Sequence, residues 1–290
     1  MRRILLLGSK GQLGVEIEKA LAPESDLIAL SRREVDLADG NAMRMAVRRA
    51  QPEIVINAAA YTAVDRAESE SAIARTINAI APGILAEETA RADAALIHFS
   101  TDYVFDGSRE GAWTESDKPA PLNIYGKTKL EGERVIEAAG GRYFIFRTSW
   151  VYAARGTNFL RTMVRLARER KQLSIVNDQV GAPTSAGELA RAVSEAIPQI
   201  DAAQPGVYHM TCHGQTSWFG FAQAIFAGLR GVVPAPELIP IATEQYPTPA
   251  QRPRNSVLDC GKLERAMGIR LLPWQEALAT VIEELRAGGV

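Results

Sequence analysis

Cysteine is scarce in this 290-residue chain, and the two present, Cys212 and Cys260, stand far apart with no metal-like pairing. That argues against a disulfide-stapled secreted scaffold and points to a reducing compartment. Long apolar runs are also missing. No stretch approaches the roughly 20 apolar residues that a membrane-spanning helix requires. The apolar run in MRRILLLG stops at Gly8 with no small-residue cleavage site behind it, the pattern of a buried strand and not of a signal peptide. An excess of charge of one sign is missing as well. The 33 basic and 34 acidic residues leave a net charge of -1, and the basic residues of RTMVRLARERK are spaced as on the solvated face of a helix. These absences lead to the expectation of a cytoplasmic protein with neither a membrane nor a nucleic acid as partner.

What is present is an ordinary globular composition, with 47% hydrophobic residues, enough to build a large core without metal or disulfide. Ile4 to Leu7 form a continuous apolar run ended by glycine, as in a strand buried on both faces of a parallel sheet. A helix should follow from about Gly11. The alternation repeats through DLIAL, the helical MRMAVRRA, EIVINAA, helices up to about Arg91, ALIHFS and YFIFRTS. Such a βαβ series predicts an α/β, Rossmann-type, doubly wound and mostly parallel sheet. Residues 1–150 are expected to form its nucleotide-binding domain. From 151 to 290 the rhythm loosens and prolines collect, which predicts a smaller C-terminal lobe, the place left for a substrate-binding role, with runs such as LSIVN and GVYHMT able to return to the main sheet.

The first strand runs straight into GSKGQLG, placing Gly8, Gly11 and Gly14 where a strand hands over to a helix. A dinucleotide pyrophosphate must approach backbone N–H groups at that helix N-terminus, and a Cβ in the turn would block it. Gly14 would let the helix lie close on the sheet. The spacing G-x-x-G-x-x-G makes this loop one residue longer than the usual fingerprint. Gln12 and Leu13 fall inside it. The second strand should end near Leu30, where an acid would grip the ribose 2′-OH of NAD, yet Ser31, Arg32 and Arg33 stand there. A hydroxyl and two guanidiniums suit a 2′-phosphate. Asp36 and Leu37 should lie near the adenine end, and Ala59, Ala60, Tyr61 and Thr62, after the third strand, near the cofactor's middle.

The chemical end is carried by YGKTK, in which Tyr125 and Lys129 stand at i and i+4 on one helical face. A nearby cation favours the phenolate, so Lys129 is expected to bring Tyr125 into the range of proton transfer. A carbonyl that receives hydride becomes an alkoxide and needs a proton. FSTDYVF supplies Phe99, Ser100 and Thr101 at a strand end, where ligands of open parallel sheets bind, and Thr101 is the better candidate for bonding the substrate oxygen.

Read in order, GSKGQLG, NAAAYTAVDRAE, FSTDYVFDG, APLNIYGKTK, FRTSWVYA, NDQVGAPT and YPTPAQRPRNS resemble the extended short-chain dehydrogenase/reductases. The glycine loop and Y-x-x-x-K are common to that superfamily. STDYVF, RTSWVY and NDQVGAPT together resemble one family within it, the dTDP-4-dehydrorhamnose reductases. The likeness spans nearly the whole chain. It implies reduction of the C4 ketone of dTDP-4-dehydro-6-deoxy-L-mannose by NADPH or NADH, giving dTDP-L-rhamnose. By position it implies that Tyr125 donates the proton, that Lys129 holds the nicotinamide ribose and tunes Tyr125, and that Thr101 polarises the ketone. Asp102 and Trp150 would contact the sugar, Arg252 the diphosphate, with Arg254 a second candidate. A homodimer is compatible with the resemblance. Some relatives join through a metal held by carboxylates, but Gly187 and Arg191 stand where acids would be wanted, so no metal is expected.

Other segments read as structural. His209, Cys212 and His213 in YHMTCHG fall short of a zinc pattern, which wants four protein ligands. His98 reads as a hydrogen-bonded strand residue, and Asp65 and Glu68 as helix-terminus charges. Two other functions compete: a nucleotide-sugar epimerase or dehydratase on the same fold, and a non-catalytic subunit like the partner of methionine adenosyltransferase. A dehydratase needs a second acid after Asp102, where Tyr103 stands; the intact Tyr125, Lys129 and Thr101 set favours an enzyme. From Ser31, Arg32 and Arg33 we expect NADPH to be used at least as well as NADH. Comparing kcat/KM for the two cofactors checks this, and a strong NADH preference would contradict it.

Overall fold

A computed structural model of the chain describes residues 1–289. Its first half is the expected βαβ series: β1 (Arg3–Leu7), α1 (Gln12–Leu21), β2 (Asp26–Leu30), α2 (Gly40–Ala50), β3 (Ile54–Asn57), α3 (Val64–Ala67), α4 (Ser71–Arg75), α5 (Ala81–Arg91), β4 (Ala95–Thr101), α6 (Ile124–Ala139) and β5 (Arg142–Thr148). A π-helical turn, Thr76–Ile80, joins α4 to α5. The later strands are β6 (Val151–Tyr152), β7 (Gln172–Val176), β8 (Val180–Gly181), β9 (Thr184–Ser185), β10 (Gly206–His209), β11 (Thr216–Ser217) and β12 (Glu237–Ile241). The main sheet has the order β10-β5-β4-β3-β1-β2, and all of its pairings are parallel. GVYHMT thus supplies the sixth strand. LSIVN instead pairs with β12 in a separate two-stranded sheet.

Both faces of this sheet are covered, which is why its strands are apolar throughout. Ile4 and Leu6 of β1 face one core together with Leu13 and Ile17 of α1, while Leu5 and Leu7 face the other with Val47 of α2 and Leu85 of α5. Strand alternation sends neighbours to opposite sides, so a strand buried twice carries no polar stripe. The helix α7 (Ala186–Ala196) packs on α1, which ties the second half of the chain to the first. No helix among the described residues is long and apolar enough to cross a membrane.

The order of the sheet also sets where a ligand can bind. From β1 the chain steps to β2 on one side and then crosses to β3 on the other, so the loops after β1 and β3 diverge and leave a crevice. The opposite layer is tied by charge. Glu88 of α5 accepts from Arg48 Nε at 2.7 Å and Nη2 at 2.9 Å, from Arg44 at 3.2 Å and from Arg91 at 2.6 Å. Hydrogen bonding from Arg48, with Arg44 and Arg91 nearby, holds its carboxyl down at about 2. A carboxylate lowered in the folded state stabilises above the ordinary carboxyl range and loses that contribution as pH falls through the folded value. We expect Glu88→Gln to cost about 2 kcal/mol at neutral pH, allowing for screening of the solvent-facing arginines. Denaturant midpoints of the two proteins should converge as pH falls from about 5 towards 2.

Candidate active site

The glycine loop and the helix behind it meet as the sequence requires. Gly8 has φ +84°, and a Cβ on it would stand 2.8 Å from the Ala59 nitrogen of the loop after β3. A Cβ on Gly14 would stand 2.1 Å from the Gly8 carbonyl oxygen, so only glycine lets α1 start this close beneath the loop. The amides of Gly8 and Ser9 both donate to the Leu30 carbonyl, at 2.9 and 3.1 Å, which brings the end of β2 beside the loop.

A cavity of about 470 Å³ opens here, within the range of small-molecule and cofactor sites. Of the residues expected to bind cofactor, Gly8, Gly11, Gln12, Leu13, Arg32, Ala59, Ala60, Thr62, Phe99, Tyr125 and Lys129 line it. Gly14 lies beneath the loop and Ser31 beside it. Asp36 instead pairs with Arg32 at 3.3 Å. Leu37 is buried in the core, and the Tyr61 hydroxyl donates to Glu70 at 2.5 Å. The sequence reading did not single out Lys10, Ala58, Thr148 or Val151, which also line the cavity. Lys10 sits inside GSKG, and Thr148 and Val151 follow the strand-end rule already applied to Thr101, so the signal for all three was available. The lining fits a dinucleotide: two glycine contacts that exclude a Cβ, backbone amides at a helix N-terminus, and the cations of Lys10 and Arg32.

The helix α6 carries Tyr125 and Lys129 to this cavity and is anchored at its first turn. Asn123 caps it, accepting from the Gly126 amide at 2.8 Å and donating to the Gln251 carbonyl at 2.7 Å. Glu68 accepts from the Ile124 amide at 2.8 Å. Asp65 stands in the first turn of α3, as the reading of helix-terminus charges expects, and each of the two also has a specific partner. Glu68 serves the terminus of α6, and Asp65 forms a two-pronged ion pair with Arg252 at 2.6 and 2.8 Å. α3 is a single turn packed against α6.

Thr101 and Asp102 stand at the end of β4. The Thr101 hydroxyl donates to Asp102 Oδ1 at 2.9 Å and accepts from the Tyr103 amide at 3.2 Å. Burial pushes the Asp102 carboxyl up to about 7, against the opposing Ser256 and Thr101 hydroxyls. Trp150 takes a left-handed backbone, φ +48°, and its ring stacks on Trp218 with centroids 3.5 Å apart. Neither Trp150, Thr101, Asp102 nor Arg252 lines the cavity itself. Arg254 pairs with Glu244 on the surface at 2.9 Å. His209 and His213 diverge, the first against the Trp113 carbonyl at 3.1 Å and the second beside Glu264 at 2.9 Å.

Tyr125 corrects an expectation. Although the residue as a whole is half-buried, protein surrounds its hydroxyl, and this desolvation pushes the phenol up to about 12, with the Thr101 hydroxyl opposing. Lys129 does not lower it. Its Nζ is turned away to the Phe99 carbonyl at 2.6 Å and to His98 Nε2 at 3.1 Å, and burial draws the ammonium down to about 8. The phenol thus stays protonated at neutral pH. That suits donation, since an alkoxide is more basic than a phenolate and the transfer runs downhill.

An open parallel sheet with a glycine loop at its switch point and a Tyr/Lys helix at its carboxyl edge defines the short-chain dehydrogenase/reductase class, here in its extended form. The family model for the RmlD substrate binding domain matches residues 1–287. A dTDP-4-dehydrorhamnose reductase of Burkholderia thailandensis is 45% identical over 98% of this chain and 99% of its own length. That of Escherichia coli is 42% identical over 97% of both. The solved dTDP-4-dehydrorhamnose reductase of Bacillus anthracis in complex with NADP matches with a TM-score of 0.92 at 35% identity, over 98% of this chain and 99% of that one. The chain belongs to the dTDP-4-dehydrorhamnose reductase family.

The anchoring of α6 gives a test. We expect Glu68→Ala to lower stability by about 1 kcal/mol, as for loss of a helix-end hydrogen bond. Turnover should fall less than tenfold while NADPH affinity is kept; unchanged thermal unfolding would contradict the anchoring role.

Proposed function

We propose that this chain reduces the C4 ketone of dTDP-4-dehydro-6-deoxy-L-mannose with hydride from NAD(P)H, yielding dTDP-L-rhamnose. The observation that carries the reading is the single cavity that unites the glycine loop with Tyr125 and Lys129, in a chain that matches this family over residues 1–287. The dinucleotide lies along the loop after β1, its phosphates toward the amides of the glycine turn, and its nicotinamide supplies the hydride. Arg32 and Lys10 provide positive charge where NADPH carries an additional phosphate. Residues 1–150 form the cofactor domain, and residues 151–290 mainly the lobe that holds the dTDP-sugar.

At the reacting end Tyr125 gives its proton to the C4 alkoxide. Thr101 orients and polarises the ketone oxygen. Lys129 holds the nicotinamide ribose. Asp102 and Trp150 bound the sugar. Arg252, held in place by Asp65, faces the diphosphate, since a guanidinium fork matches phosphate oxygens.

Stoichiometric loss of NADPH absorbance with the 4-keto-6-deoxy sugar nucleotide tests the activity, and a redox-neutral outcome would point to an epimerase or dehydratase. In Tyr125→Phe we expect turnover to fall by roughly 10² to 10⁴-fold, the range for a positioned acid, with NADPH binding retained. Near-normal turnover in that variant would remove Tyr125 as donor. Arg32→Ala should weaken NADPH by about tenfold, the loss of one phosphate contact, while leaving NADH little changed. Equal effects on both cofactors would contradict the phosphate assignment.

A further inference from the structure

Lys129 reaches the cavity wall with no carboxylate in hydrogen-bonding contact, although the charge of Glu133 opposes the loss of its proton. Glu133, one turn further along α6, is taken by Arg147 of β5 at 2.9 and 2.6 Å and by the Ser100 hydroxyl at 2.5 Å. Tyr125 on α6 and Asp102 after β4 are neutral-leaning through burial, and Lys10 and Arg32 are the further charged groups that line the same cavity. The two hydrogen-bonding contacts of Lys129 Nζ are the Phe99 carbonyl and His98 Nε2. Lysine and histidine are each 1% exposed.

The far side of the imidazole decides where its proton lies. Asn57 Oδ1 accepts from the Ala59 amide at 3.2 Å, so it is the Asn57 NH₂ group that stands 3.2 Å from His98 Nδ1. A donor at that point makes Nδ1 the acceptor, and the single proton of a neutral imidazole is then on Nε2. Nε2–H faces Lys129 Nζ. An ammonium has no lone pair to receive it; an amine does. An imidazolium at this distance from an ammonium, both sealed from water, is worse still.

We propose that His98, oriented by Asn57, is a positioning residue that keeps Lys129 a retracted neutral amine in the cofactor-free enzyme at alkaline pH, so that filling the cavity with the dinucleotide is coupled to proton uptake at Lys129 Nζ. The balance is one proton from solvent. Nζ gains it, and the imidazole, keeping a single proton, shifts it from Nε2 to Nδ1 and gives up the donation from Asn57. The diphosphate's negative charge offsets that loss by favouring the ammonium. Burial acts in the same direction in the resting state, drawing Lys129 down to about 8 and His98 well below its ordinary value. His98, which the sequence presents as a plain strand residue, thus controls the charge of a residue that does touch the cofactor.

This inference rests on the reading of the cavity as a nicotinamide-dinucleotide site. Titration calorimetry with NADPH, in buffers of different ionisation enthalpy, counts protons without turnover. Wild type should take up about one proton per chain at about pH 9 and almost none at about pH 6.5, where Lys129 is already charged. His98→Gln offers a carbonyl that holds the ammonium permanently, and Asn57→Asp accepts from Nδ1–H and frees Nε2 to do the same. Both should bind NADPH and lose the uptake at pH 9. Circular dichroism checks that each is folded, and if one is not, the other decides. Wild-type binding without uptake at pH 9, or unchanged uptake in the folded variants, would overturn the role of His98. Absence of NADPH binding in wild type would instead overturn the cofactor site.

Discussion

The site depends on how closely α6 lies against its neighbours. A Cβ on Gly126 would stand 2.2 Å from the Tyr103 carbonyl oxygen, and one on Gly132 would stand 2.1 Å from that of Asn78. At both ends of the catalytic stretch, therefore, the helix touches backbone where any side chain would hold it off. That approach carries Lys129 into the wall behind β4 and Tyr125 to the strand end beside Thr101. Asn123 and Glu68 then satisfy two of the free amides of the first turn, those of Gly126 and Ile124. Glycine here is a cost in helix propensity accepted for position.

Electrostatics follow from the same close packing. Excluding water raises the Tyr125 phenol and lowers the Lys129 ammonium to about 8, so before any ligand enters the phenol is neutral and the lysine loses its charge already in mildly alkaline solution. Charge is kept one layer deeper, in the buried Glu133–Arg147 pair that Ser100 joins to the cavity wall. Arg147 Nε and Nη2 are satisfied by Glu133 while Nη1 is buried without a hydrogen-bond partner, so this desolvated pair holds geometry more than it adds stability. The bound dinucleotide brings negative charge to a pocket lined by Lys10, Arg32 and Lys129, which by the inference above links binding to the state of Lys129.

Much of this was legible in the residues. Doubly buried strands have no polar stripe, so their apolar runs stand out, and β2 was bounded from DLIAL alone. The glycine loop could be located because its chemistry requires glycine at a strand-to-helix junction. The partners of Lys129, Asp65 and Glu68 were not legible, since each is met only after the chain folds back: His98 lies on β4, Arg252 beyond β12, and the Ile124 amide at the start of α6. Y-x-x-x-K gives two residues one helical face but says nothing of the carbonyl and imidazole that draw the ammonium aside. Cavity-lining Thr148 and Val151 could have been found by extending the strand-end argument to β5.

The central claim is that hydride passes from the nicotinamide to C4 of the dTDP-bound sugar while this chain supplies the proton. NADPH carrying two deuterium atoms at its nicotinamide C4, consumed with the keto-sugar nucleotide, tests this directly by NMR of the product. One deuterium should appear at the sugar's C4 for each NADPH consumed, with hydrogen from solvent on the new hydroxyl. Product without deuterium at C4, or a sugar altered with no loss of NADPH, would contradict the account.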